Sequence, residues 1–228
     1  MERPEAQICM PKEAEAVEFV HAIQSKHPAL VNVAYVGDGL KILLEKSSDH
    51  RKQSMYYNGW KQDHFITNLF IFAPNGKIIA AMLNCPGTMH DSELAMMGDP
   101  SIYHKIDQWY ETYGLKCVMD SAFCTASRQS ITKSIPKDKV WTYADNEEHA
   151  RILDQALSLR QSAEWGMRAL QGSTPRLKTR WPYEERGERD IGITLITLLY
   201  NFRAHYMGLN QIRSVYWNSE EGESSEDD

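Results

Sequence analysis

The succession of periodic segments along the chain predicts an α/β protein with a mixed central sheet flanked by helices. Three observations carry that expectation. A helical apolar face near the start precedes the first apolar run. Two further apolar runs are joined by Pro74-Asn75-Gly76, a hairpin signal. A single short strand then comes before two long helical stretches.

Taken in order, Glu13 to Lys26 places Ala16, Val17, Phe19, Val20 and Ile23 on one helical face, ending near His27-Pro28. Val31 to Val36 reads as a buried strand, with Leu40 to Leu44 as its continuation or hairpin partner. The polar stretch Glu45 to Gln53 has no core pattern. Asn68 to Ala73 and Lys77 to Asn84 form the hairpin, and Asp91 to Tyr113 is mostly helical with an interruption near Gly98 to Pro100. Lys116 to Asp120 is a short strand, and Ile131 to Asn146 is irregular. Glu147 to Gln171 is helical, Gly172 to Gly187 is a charged, proline-rich loop, and Arg189 to Tyr206 reads as a long, largely buried helix.

A chain of 228 residues suits one domain with a sizeable core. No apolar signal core follows Met1, and runs such as Ile78 to Leu83 are far too short to cross a bilayer, so a soluble intracellular protein, cytosolic or nuclear, is expected. Cys9, Cys85, Cys117 and Cys124 lack C-x-x-C spacing, which favours reduced buried thiols over a zinc site. The net charge of −6 is a matter of distribution. Glu220, Glu221, Glu223, Glu226, Asp227 and Asp228 crowd the end, leaving 25 basic and 25 acidic residues in a neutral body. The segment from Ser219 has no apolar residue and is expected to be disordered.

The acidic residues suggest a chemistry. Phosphodiester cleavage needs an activated water and a stabilised leaving oxygen, usually supplied by two divalent ions between carboxylates. Hard ions take oxygen ligands, so Asp and Glu must be gathered from different elements. Asp38 lies in the turn Gly37-Asp38-Gly39 after the first strand, Asp120 ends a strand, and Glu164 sits within a helix. Spacing alone leaves the alternative open that these are a turn residue, a cap and a solvated side chain.

Several blocks of the chain resemble the PIF/Harbinger-type DDE transposases and their domesticated nuclease relatives. They are, in order, Val36-Gly37-Asp38-Gly39-Leu40, Tyr56-Tyr57-Asn58-Gly59-Trp60-Lys61, Pro86-Gly87-Thr88-Met89-His90-Asp91-Ser92, Met119-Asp120-Ser121-Ala122-Phe123, Arg160 to Gly172, and Asn210 to Tyr216. Met119 stands where the family often has Gly. The resemblance implies an RNase H-like DDE catalytic domain over residues 31–218, between a helical lead-in (1–30) and the acidic tail (219–228). The lead-in is too short for a complete helix-turn-helix domain, so a separate DNA-binding protein is expected to supply targeting; a homo-oligomer is also expected, and no membrane partner.

The same resemblance implies a metal-dependent DNA endonuclease or transposase with Asp38, Asp120 and Glu164 as catalytic metal ligands for Mg²⁺ or Mn²⁺. Asp38 would bridge both ions, with strand transfer as a further activity. The competing reading is a domesticated, catalytically silent DNA- or protein-interaction protein. Asp91 is read as the N-cap of the following helix in preference to an alternative ligand, and His90 as a structural hydrogen-bonding group beside the site. Arg160, Arg168, Arg176, Lys178 and Arg180 cluster around Glu164 and are candidates for DNA phosphates. Trp60 and Trp165 could stack on bases, with core packing the expectation for both.

Overall fold

The computed structural model describes residues 3–123, 128–183, 186–208 and 210–217. The acidic tail, Cys124, Glu184 and Glu185 lie outside them. Helix α1 (Glu13–Lys26) opens with Glu13 and Glu15 in its first turn and closes with Lys26 in its last, complementing the helix dipole. Strand β1 (Val33–Leu43) is followed by α2 (His50–Tyr56), the two-residue β2 (Tyr57–Asn58), and the hairpin β3 (Asp63–Phe72) and β4 (Ile78–Pro86). Then come α3 (Asp91–Met96), α4 (Ile102–Tyr113), β5 (Lys116–Asp120), β6 (Ile131–Ser134), α5 (Val140–Tyr143), α6 (Glu147–Ser173), α7 (Arg186–Met207) and α8 (Gln211–Tyr216).

The sheet is mixed, as expected. β1 lies at its centre, antiparallel to β3 and parallel to β5. β3 also pairs antiparallel with β4 and, at its first residues, with β2, while β6 extends the sheet parallel to β5. Period-2 alternation divides the core between the two faces. On one face Val36, Leu40, Ile42, Ile66, Phe70 and Val118 meet α6, α7 and α8. On the other, Ala34, Tyr35, Leu69, Ile71, Cys117 and Met119 meet α1, α3 and α4.

The segment Gly37-Asp38-Gly39 is not a turn; β1 runs straight through it, with Asp38 opposite Phe70 of β3. Its glycines serve close packing. A Cβ on Gly37 would stand 2.6 Å from Ile71 Cδ1, and one on Gly39 would stand 3.2 Å from Phe123 Cζ. Residues 131–134, expected to be irregular, form β6, whose polar Thr-Lys-Ser composition carries no strand pattern but whose backbone pairs with β5. Helix α7 is less buried than its composition implies: Ile191, Leu195, Leu199 and Tyr206 are more than half exposed along one stripe, and Ile193, Thr197, Tyr200 and Ala204 face inward. Cys85 and Cys117 are buried, whereas Cys9 is exposed.

Helix α6 packs tightly on β3 at Gly166, where a Cβ would lie 2.6–2.9 Å from the Phe72 ring. Gly172, near the end of the same helix, faces open space. Gly166→Val is therefore expected to cost about 1–3 kcal/mol through overpacking, whereas Gly172→Ala is expected to be neutral or to stabilise by up to about 1 kcal/mol. Urea unfolding of the two variants beside the parent measures both, and equal effects would show that α6 has slack against the sheet.

Candidate active site

Alternation along the strands decides where the acids point. Asp38 shares its parity with Val36, Leu40 and Ile42, and Asp120 shares its own with Val118, all of which face α6. The parallel register aligns Gly37 with Met119, so Asp38 and Asp120 stand next to each other at neighbouring positions on β1 and β5. From above, α6 presents Arg160 and Glu164, one helical turn apart, beside the buried Ala156 and Ala163.

Arg160 ties these groups together. One terminal nitrogen of its guanidinium donates to Asp38 Oδ2 at 3.0 Å, the other lies 3.2 Å from Glu164 Oε1, and Nε stands 4.0 Å from Asp120 Oδ2. The Arg160 side chain is 19% exposed and that of Asp38 15%, so this pair is largely withdrawn from water, where attraction is stronger than at the surface, whereas Asp120 and Glu164 are more than a third exposed. Asp38 Oδ1 also accepts from the Gly39 N–H at 2.8 Å. Asp120 Oδ1 accepts from the Ala122 N–H at 2.9 Å, which fixes the carboxylate as the chain leaves β5.

Burial pushes the Asp38 carboxyl above the ordinary carboxylate range; the Gly39 amide and Arg160 oppose the shift, and the charges of Asp120 and Glu164 add to it. Three hard oxygen donors from three separate elements suit a divalent cation in chemistry and in charge, and a positive group already stands at their centre. As arranged, with the guanidinium between them, no three acidic, histidine or cysteine groups among the described residues stand close enough to hold an ion.

The N-cap of α3 is His90, not Asp91. The His90 N–H donates to Glu93 Oε2 at 3.2 Å, and Asp91 is the first helical residue. Asp91 lies within the electrostatic reach of Asp120: burial raises its carboxyl above the usual range, with Lys41 opposing and Asp120 adding. The exposed His90 lines a cleft of about 600 Å³ between the turn after β2 and the start of α3. Trp60, at the mouth of this cleft, is 90% exposed, so core packing does not account for it. Trp165 is partly buried against the α6 face of the core, as expected.

The basic residues around Glu164 divide by what they touch. Arg160 belongs to the acidic cluster. Arg180 grips Asp63 with two hydrogen bonds of 3.0 and 2.7 Å and donates to Leu44 O, holding the Asp63 carboxyl down at about 2. Arg176 lies over the Trp181 ring and donates to Thr179 and to Arg180 O. Arg168 and Lys178 are exposed and have no ion-pair partner among the described residues. The i,i+4 spacing of Arg160 and Glu164 was the sequence signal for the first of these roles. For Trp60 the signal was its place next to Asn58-Gly59, inside the turn that Asn58 closes onto Lys61.

A raised carboxyl pKa means that the fold favours the protonated form. The charged form therefore costs stability at neutral pH, and that cost disappears once the pH falls below the unfolded value of about 4. Asp91→Asn is accordingly expected to melt higher than the parent at pH 7, with the difference shrinking as the pH falls towards 4. Thermal unfolding of both proteins across that range tests it, and a difference independent of pH would assign the effect to packing.

Two comparisons return nothing: no curated protein and no solved structure matches the chain. A family model described as DDE superfamily endonuclease matches residues 37–201, well over half of the chain. The matched stretch begins one residue before Asp38 and includes Asp120, Arg160 and Glu164. The chain therefore belongs to the DDE superfamily endonucleases.

Proposed function

We propose that this chain is a transposase-type DNA endonuclease domain of RNase H-like fold, which cuts phosphodiester bonds at Asp38, Asp120 and Glu164 with Mg²⁺ or Mn²⁺. The observation that carries the reading is that one guanidinium reaches all three of these carboxylates, from β1, β5 and α6. The central β1, antiparallel to β3 and parallel to β5, supports the fold assignment. The ordered blocks from Val36 to Tyr216 support the PIF/Harbinger branch and, with it, a nuclear or cytoplasmic place of action. The exposed apolar stripe of α7 supports a homo-oligomer or a separate targeting protein.

Divalent ions bound between carboxylates make water nucleophilic and stabilise the departing 3′ oxygen. The chain's own residues prepare the place for them. The Gly39 amide and the Ala122 amide orient Asp38 and Asp120, and the packing of α6 on Phe72 sets the height of Glu164 above the sheet. Arg160 holds the three anions together as their counter-charge and has to withdraw from between them when ions take its place.

Asp120→Asn is expected to reduce metal-dependent nicking of plasmid DNA to background while leaving the metal-free melting temperature equal or higher. Mg²⁺ or Mn²⁺ should raise the melting temperature of the parent more than that of the variant. Equal rises in both would remove Asp120 from the ligand set. Arg160→Ala leaves three neighbouring carboxylates without their cation, and a loss of about 2 kcal/mol of metal-free stability is expected. Its melting temperature should then climb further than the parent's when Mn²⁺ is added, and a smaller climb would rule out displacement of Arg160 by metal.

A further inference from the structure

The turn that carries Trp60 is built to hold a large aromatic ring in solvent. Asn58 Oδ1 accepts from the Lys61 N–H at 3.1 Å, closing the turn, and Asn58 Nδ2 donates to Gly87 O at 2.9 Å, tying it to the loop after β4. That loop lies directly on β3: a Cβ on Gly87 would stand 2.3 Å from Phe65 O. The Trp60 indole, 90% exposed, thus stands on an anchored support. A buried hydrophobic role would not require such anchoring.

The cleft beneath it has a consistent chemistry. Lys41 and Lys61 line it, and neither has an ion-pair partner among the described residues. The Lys41 ammonium lies 5.1 Å from the Phe65 ring centroid, which keeps it on the cleft wall. Asp91 and Glu93 line the cleft as well, and Lys41 lies within the electrostatic reach of Asp91. The cleft also reaches the exposed Ala122, whose amide holds Asp120. A volume of about 600 Å³ is that of a small-molecule site and far too small for a double helix. An exposed aromatic face beside two ammonium groups is the combination that recognises single-stranded nucleic acid.

We propose that this cleft binds an unpaired stretch of the DNA strand leading to Asp120, with a base stacked on Trp60 and backbone phosphates against Lys41 and Lys61. This inference rests on the endonuclease reading for the identity of its ligand. It extends that reading by making the preferred substrate locally unpaired DNA at one side of the cut.

The test is fluorescence anisotropy of a labelled twelve-residue oligothymidylate, and of a blunt duplex of the same length, on the full chain in EDTA at low salt. Binding in EDTA separates the cleft from cleavage. The parent is expected to prefer the single strand. Trp60→Ala should weaken that binding about tenfold, and Trp60→Phe should restore most of it. Lys41→Ala and Lys61→Ala should each reduce the slope of affinity against salt by about one. Circular dichroism and melting of Trp60→Ala should match the parent, since the ring is exposed. Oligonucleotide binding unchanged by Trp60→Ala, or a parent that prefers duplex, would overturn the inference. The nicking assay with Asp120→Asn separates the two ideas. Metal-dependent nicking alongside Trp60-independent binding rejects the cleft and leaves the nuclease. Trp60-dependent binding without nicking rejects the nuclease and leaves a single-strand binding site.

Discussion

One guanidinium sets the electrostatics of the molecule's centre. Asp38 and Asp120 are neighbours on adjacent parallel strands, and Glu164 comes down on them from α6. Three carboxylates gathered in a partly buried place repel one another. Arg160 reaches all of them from the same helical face as Glu164 and thereby binds α6 to two strands of the sheet. The same contacts carry structural and functional consequences: what holds α6 in register is also what gathers the acids. The site follows the usual rule that charge withdrawn from water is paired.

Close approach is the second constraint. Gly37 lets Ile71 lean over β1, Gly39 admits the Phe123 ring, Gly87 lets the loop after β4 lie on Phe65, and Gly166 lets α6 descend onto Phe72. Three of these four contacts surround Asp38 or the cleft beside Asp120, and the fourth fixes the helix carrying Glu164. A sequence reader sees Gly-Asp-Gly and infers a turn, because glycine is the usual residue at positive φ. Here neither glycine has positive φ, and both are small because neighbouring side chains fill the space.

What was legible followed from strong local periodicity. Helix α1, strand β5, the hairpin around Pro74-Asn75-Gly76 and the break between α3 and α4 could all be read from the chain, since each has its own pattern and stop signal. Strand β6 could not, because Thr132 and Lys133 gain their strand conformation only from the partner β5. Arg189 was equally hidden. It opens the stretch read as a largely buried helix, but nothing singled out its own side chain, which is 1% exposed and donates to Asn84 Oδ1, Pro182 O and the Tyr56 hydroxyl. Such burial depends on acceptors from two distant segments, at Asn84 and Tyr56, together with the loop just before the helix. At the site, the three acids and the cation between them were all named from the sequence. Beyond the i,i+4 spacing of Arg160 and Glu164, their pairing was not, because the approach of Arg160 to Asp38 and Asp120 depends on the strand parities.

That difference between naming a cation and knowing its partner bears on where nucleic acid could lie. Of the five basic residues near Glu164, Arg160 is committed to carboxylates, Arg180 to Asp63, and Arg176 to Trp181 and nearby oxygens. A guanidinium already holding a bidentate carboxylate has little capacity left for phosphate, since its planar donors are used. Arg168 and Lys178 remain exposed, while Lys41 and Lys61 line the cleft that reaches Ala122. Counting charges gives a body that is neutral overall. Among the cations named around the site, Arg168, Lys178, Lys41 and Lys61 are the ones with no ion partner among the described residues. A strand of phosphates in the cleft would meet Lys41 and Lys61, and repulsion from Asp91 and Glu93 as well as from the three acids beyond Ala122.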